Sequence, residues 1–277
     1  MGELFERMLS PVTVNRAWRT LRGDRALWTT GVPRADIERD VLMHVLRLLD
    51  EVRAGHYRPE SLRRFTVKKG DGGQRVLSAL VLRDKLLQKA AQIVLDPIGE
   101  SLFHPDSHGY RRGRGVDSAH ARAAERVRSG LGWLVDADIR SFFDRIPHNR
   151  LLRELRRHVP DAELRALIGR WLEAGSAHAS VFGPRRGIAQ GGVISPFLCN
   201  LYLHSLDTAW QARNLPFVRY ADDFLLFTPD RTTAEKALAW TATALKKLGL
   251  ELHPDKTRVT RSGPHVVFLG RSMPRAP

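Results

Sequence analysis

The chain has 277 residues and 43% apolar content, enough for one large domain or two fused subdomains with a sizeable core. Its 45 Lys and Arg against 30 Asp and Glu leave a net charge of +15, which points to an anionic partner, nucleic acid first; only 8 of the basic residues are Lys, so Arg-rich codon usage stands as the bland alternative. No apolar run reaches the ~18 residues that span a bilayer, no basic, apolar leader opens the chain, and the lone Cys199 excludes an internal disulfide, so a cytoplasmic protein without membrane contact is expected.

In chain order, apolar positions from Ile37 to Leu49 recur at helical spacing, predicting a helix over 35–53 that ends at Gly55. Residues 64–80 read as a hairpin turning at Gly70-Asp71-Gly72-Gly73, and 82–95 as a helix. Residues 132–139 form a short apolar strand ending in Asp138. Helices are predicted over 148–158 and 161–174. A Gly-rich loop then leads into a helix over 195–213, with Ser195 as its cap and Pro196 as its first residue. Phe217 to Phe227 gives two apolar strands around an Asp pair, and 232–248 an amphipathic helix. Strands and helices mix without strict alternation, which predicts an α+β fold. Cys199, in the run Pro196-Phe197-Leu198-Cys199, reads as a packed small hydrophobe.

The acids carry the chemistry. Asp222 and Asp223 sit between two arms that favour burial, where adjacent carboxylates repel each other and lose hydration. A polar hairpin tip is the plain alternative. Asp138 ends a second apolar strand, and two acid-tipped strands together build an all-oxygen site suited to Mg²⁺. Two such ions ~3.5–4 Å apart activate an attacking oxygen and stabilise a leaving one. The chain offers no clustered Cys or His for zinc. Asp136 points to the same side as Asp138 and reads as a hydrogen-bonding neighbour outside the metal shell.

Tyr220-Ala221-Asp222-Asp223 resembles the YADD box of reverse transcriptases, in particular the group II intron class and its CRISPR-associated relatives. Residues 138–148, 187–196, 248–257 and 268–270 are similar to the family's other blocks, in the family's order. Upstream, residues 69–75 resemble the fingers hairpin and 108–115 the block usually written GFRPGRS. The resemblance implies a right-hand polymerase with fingers over 1–130 and a palm over 131–277, into which fingers helices (148–186) are inserted. Only residues 271–277 follow the last block, so the thumb is expected to be absent or minimal.

The implied activity is RNA-directed DNA synthesis from dNTPs on a primer 3′-hydroxyl. The expected partners are an RNA template and a DNA primer or RNA/DNA hybrid, with CRISPR integration proteins or a thumb-supplying subunit beside them. Asp138, Asp222 and Asp223 would hold two Mg²⁺, Mn²⁺ being the alternative, with the Ile139 carbonyl as a further ligand. Lys256 would protonate pyrophosphate. Phe143 would reject a 2′-hydroxyl by bulk while Phe142 packs in the core. Lys69 and Arg75 would meet the triphosphate, Gln190 and Gly191 the nucleotide and template, and Arg111, Arg114 and Tyr220 the nucleic acid. The alternatives are an antiphage-defence enzyme with weakly templated or untemplated synthesis, and a basic RNA-binding module without activity. Carboxylates that repel phosphate argue against the last.

Overall fold

The computed structural model describes residues 2–68, 74–176 and 185–277, and at Arg75 the backbone alone. From the N-terminus the elements are α1 (Glu3–Leu9), α2 (Pro11–Thr20), α3 (Arg34–Ile37), a 3-10 turn (Glu38–Asp40), α4 (Val41–Arg53), β1 (Arg63–Lys68), β2 (Gln74–Ala79), α5 (Leu82–Leu102) and α6 (Val116–Arg128). There follow β3 (Trp133–Asp138), α7 (Phe142–Arg145), α8 (His148–His158), α9 (Ala162–Gly175), α10 (Ser195–Gln211), β4 (Phe217–Tyr220), β5 (Asp223–Thr228), α11 (Arg231–Lys247), a 3-10 turn (Pro254–Lys256), β6 (Arg258–Arg261), β7 (Val267–Phe268) and β8 (Arg271–Ser272). The fold is α+β, as the mixed patterning predicted.

Three local differences have physical causes. The single helix expected over 35–53 is broken at Asp40, whose carboxylate accepts the Met43 N–H and starts α4 afresh. Helix α5 runs past the expected end at Leu95, through exposed Pro97, because the Phe103 N–H closes back onto the Gly99 carbonyl at 2.8 Å. Ser195 does not cap α10 with its hydroxyl, which instead donates to the Ala189 carbonyl at 2.7 Å.

The chain divides into two compact units, Met1–Ile98 with Pro147–Phe197, and Gly99–Ile146 with Leu198–Pro277. Helix α6 packs on the sheet of the second unit. The inserted helices α8 and α9 fall with the N-terminal residues.

In the first unit a buried polar network ties the end of α4, the start of α5 and the middle of α9. The Tyr57 hydroxyl donates to Asp84 at 2.7 Å and accepts from the Trp171 indole at 3.0 Å, while the Glu60 N–H donates to the other Asp84 oxygen. Burial pushes the Asp84 carboxyl upward although these donors oppose it. The β1–β2 hairpin is antiparallel, and β1 is exposed along its whole length. The loop before α10 lies against β2: the Ser78 N–H donates to the Gln190 carbonyl at 2.7 Å. Gly191 has φ +99, and a Cβ there would stand 2.8 Å from the Ser78 carbonyl, so glycine is required.

The second unit is built on a four-stranded antiparallel sheet in the order β4-β5-β3-β6. One face, through Leu134, Val218, Leu225 and Phe227, packs on Ala119, Ala123 and Val127 of α6 and on Phe268 and Met273. The small alanines allow the helix to come close. On the other face Phe217 and Phe224 each meet Trp210 of α10 with ring centroids 4.9 Å apart, and the Trp210 indole donates to Thr241 of α11. No helix among the described residues is long and apolar enough to cross a membrane.

Asp161 joins two helices of the first unit. Its carboxylate accepts the Leu164 N–H at 3.0 Å as the cap of α9 and the Phe5 N–H of α1 at 2.8 Å, both buried. Asp161→Ala removes a cap and strands a buried donor, and is expected to cost ~1–3 kcal/mol in urea denaturation, with faster amide exchange over α1. An unchanged midpoint would show that water replaces the carboxylate without loss.

Candidate active site

The register of the second sheet assembles the acids. Asp138 stands opposite Asp223, and Asp223 opposite Tyr220, so these three side chains share one row on one face. Asp136 follows on the same face by the two-residue period, opposite Leu225 and Arg258. Ala221 and Asp222 form the two-residue hairpin connection, with Ala221 at φ 57. The primed turns that fit a twisted hairpin need positive φ at this first central position. The Ile139 N–H donates to the Asp222 carbonyl at 3.3 Å, which ties the turn to the end of β3. A cleft of about 340 Å³ opens on this face, lined by Asp136, Asp138, Asp223, Asp255, Lys256 and Arg258.

Beneath the turn lies a fully buried ion pair that sequence reading did not anticipate. Arg219 and Asp207 are both 0% exposed. Arg219 donates through Nε and Nη2 to the two Asp207 oxygens at 2.8 and 2.6 Å, and again through Nη2 to Ser107 Oγ. Its Nη1 donates to Asn200 Oδ1 and to the Ala221 carbonyl, each at 3.0 Å. Residues 106–108 run along the edge of β4, where the His108 N–H meets the Arg219 carbonyl and the Arg219 N–H meets the Asp106 carbonyl. Gly109 then passes so close to the turn that a Cβ would stand 2.5 Å from the Ala221 nitrogen. A charge at position 219, inside an apolar strand and on the same face as Phe217, was the available signal.

Sequence-predicted residues distribute as follows. Lys256 Nζ lies 3.1 Å from Asp138 Oδ2. Asp136 is paired with Arg258 at 2.8 Å. Phe142 is 1% exposed in the core and Phe143 half-buried, with the rings edge-on at 5.6 Å. The Ile139 side chain is buried in the core. Cys199 is wholly buried and its thiol is pushed up by that burial. Arg111, expected at the template, has a side chain 3% exposed; its fork is filled by Glu100, and Nη1 donates to the His104 and Ser107 carbonyls. Arg114, on the same segment, is half-buried. Gln190 and Gly191 lie in the first unit, against β2. Lys69 and the side chain of Arg75 lie outside the described residues.

Asp223 carries the strain of the cluster. Its carboxyl is pushed up to about 7, first by burial and then by Asp138, Asp136 and Asp222, with Lys256 pulling the other way. Among the described residues no group of three or more His, Cys, Asp or Glu side chains is placed to hold a metal ion. The donor chemistry nonetheless fits a hard divalent cation: the acids are oxygen donors, and their repulsion is what a cation relieves. The folded chain holds a proton on Asp223 that an unfolded aspartate at ~3.9 has released. The stability this lends is complete below pH ~4 and is lost as pH rises through about 7. In chelator, Asp223→Asn is therefore expected to melt above the wild type at pH 8, with the difference closing by pH ~4; equal melting shifts at both pH values would remove the repulsion argument.

The chain is similar to known proteins. The family described as reverse transcriptase (RNA-dependent DNA polymerase) matches residues 67–273. Protein YkfC of Escherichia coli K12 is 29% identical, over 88% of this chain and 75% of its own length. The group II intron-encoded protein LtrA of Lactococcus lactis is 28% identical, over 88% of this chain but only 41% of its own. Among solved structures, a chain of a partial Cas6-RT-Cas1–Cas2 complex is 26% identical with a TM-score of 0.52, over 88% of this chain and 41% of that one. The family match takes in both acid-tipped strands and the segment carrying Lys256, well over half the sequence, and on that ground the chain belongs to the reverse transcriptases, the RNA-dependent DNA polymerases.

Proposed function

We propose that the chain extends a primer 3′-hydroxyl with deoxynucleotides on an RNA template, at the face where Asp138, Asp223 and Tyr220 stand in one row. The observation that carries this reading is the Asp138–Asp223 register with its mutual repulsion. Asp138, Asp222 and Asp223, with the Ile139 carbonyl, would hold Mg²⁺, or Mn²⁺ in its place. Bound there, two such ions supply activation of the 3′-hydroxyl and charge neutralisation at the leaving oxygen.

The chain's own residues do the rest. Lys256, 3.1 Å from Asp138, would give a proton to the departing pyrophosphate. Tyr220 and Arg114 meet the nucleic acid. From the family resemblance Lys69 and Arg75 meet the triphosphate, and Gln190 and Gly191 the nucleotide and template. Likeness to LtrA and to the Cas6-RT-Cas1–Cas2 chain supports a group II intron-like or CRISPR-associated setting, with integration proteins or a thumb-supplying subunit as partners.

The test is primer extension on an RNA template. Asp222→Ala is expected to lower it by ~10²–10³-fold or more, the scale of losing one transition-state contact, while circular dichroism and RNA binding stay near wild type. Full extension by a folded Asp222→Ala protein would remove the assignment.

Sugar choice gives a second test. Phe143, half-buried beside the core ring of Phe142, would crowd a 2′-hydroxyl. Phe143→Ala is expected to raise relative kcat/KM for ribonucleotides at least ~10-fold, since a clash of ~1.4 kcal/mol suffices. Phe142→Ala instead should cost ~3–5 kcal/mol of stability. Paired dNTP and rNTP incorporation with thermal melting reads both; exchanged phenotypes would mean the two rings have exchanged roles.

A further inference from the structure

We propose that Arg219 is a positioning residue for cation binding: from the face of the sheet opposite the acids it fixes the Ala221–Asp222 turn, and so holds Asp222 ready for a divalent ion before one arrives. The proposal rests on the metal reading for its ligand and on the buried network for its place.

Stability alone is a poor account of the pair. Arg219 and Asp207 are both 0% exposed, and a buried ion pair can often be exchanged for packed apolar residues at little cost. Nor can a wholly buried guanidinium meet a substrate. It lies two residues from Phe217, on the face opposite Asp138 and Asp223. Its route to the acids is the contact it makes with the turn, Nη1 to the Ala221 carbonyl at 3.0 Å.

The turn needs such a hold. Ala221 has φ 57, in the left-handed region that glycine fills readily and alanine does not. Asp222 also adds its charge to those of Asp138 and Asp136 at the Asp223 carboxyl. Without a cation, strain and repulsion both favour a turn that opens away from the sheet. Contacts from separate segments oppose this. Arg219 holds the Ala221 carbonyl, the Ile139 N–H holds the Asp222 carbonyl at 3.3 Å, and Gly109 lies so near that a Cβ would stand 2.5 Å from the Ala221 nitrogen. Asn200 ties Arg219 to Gly109, accepting from Nη1 at 3.0 Å and donating to the Gly109 carbonyl at 2.8 Å.

Pairing with Asp207 settles the charge. A lone arginine within electrostatic reach of Asp222 would compete with the cation. Asp207, bonded at 2.8 and 2.6 Å, cancels that charge and leaves the donor. The turn thus receives a hydrogen bond without a rival cation, and the Asp222 carboxylate is held in place for an arriving ion.

Mn²⁺ serves as the probe. Its binding to the whole chain, without nucleic acid or nucleotide, is followed by the electron paramagnetic resonance of the free ion, and the sites lost in Asp222→Ala are the ones counted. The hold is removed by two routes. Arg219→Lys keeps a paired charge but not the fork, and Arg219→Met with Asp207→Leu removes both charges. Each is expected to fold and to bind Mn²⁺ at those sites about 5- to 150-fold more weakly, the factor that corresponds to one strained residue released to relax. Asp161→Ala, destabilised in the first unit, is the control and is expected to bind as wild type. Wild-type affinity in a folded Arg219 variant would overturn the positioning role. So would an equal loss in Asp161→Ala, or the failure of both Arg219 variants to fold, which would make the pair a requirement of stability alone. Mn²⁺ binding that Asp222→Ala leaves untouched would instead fell the metal reading, and the proposal with it.

Discussion

A charge that is wholly buried has to be answered at every donor it carries, and Arg219 is answered five times over. Its guanidinium serves Asp207 twice, Ser107, Asn200 and the Ala221 carbonyl. These partners come from α10, from the segment along the edge of β4 and from the Ala221–Asp222 turn itself. Only the planar fork of arginine reaches so many acceptors from one point; a lysine would leave several unmet. Exchange of such a pair for apolar residues often costs little, but loss of one member strands a buried charge. The pair therefore acts as a fixed peg: wherever Arg219 is, the Ala221 carbonyl and the edge segment must be.

From that peg the two faces of the sheet take opposite duties. The face toward α10 and α11 is packed with Phe217, Phe224 and Trp210 and carries the buried ion pair. The face toward α6 is apolar in its middle and acidic at its end, where Asp136, Asp138 and Asp223 follow one another by strand register. Arg258 and Lys256 sit against the first two acids, and Asp223 keeps the burial and, after it, the repulsion that lift its carboxyl. Negative charge is thus gathered at one end of this face, on a backbone held rigid by the strand register and the Arg219 network.

The same rigidity accounts for the unusual backbone nearby. Ala221 at φ 57 and Tyr110 at φ 61 flank the Gly109 contact. Neither residue type favours that region, and both are held in it by hydrogen bonds to the Arg219 network on either side. Arg111, one residue beyond Tyr110, turns inward to Glu100 and closes the segment from the other end.

The sequence by itself determined the strands that end in acid, the hairpin around Asp222 and Asp223, the alternation that puts Asp136 beside Asp138, the helices over 148–158 and 161–174, and the family blocks in their order. These are readable because periodicity and turn chemistry act between residues a few positions apart. The interruption of the first long helix at Asp40, the passage of α5 through Pro97, the placing of α6 on the second sheet, the inward turn of Arg111 and the Arg219 network were decided only by tertiary structure. Each depends on a partner that spacing does not name: Ser107 stands 112 residues from Arg219, and Asn200 stands 91 from Gly109. An arginine in an apolar strand announces that a partner must exist, since burial of an unpaired charge is prohibitive; which residues answer it is fixed only when the chain has folded.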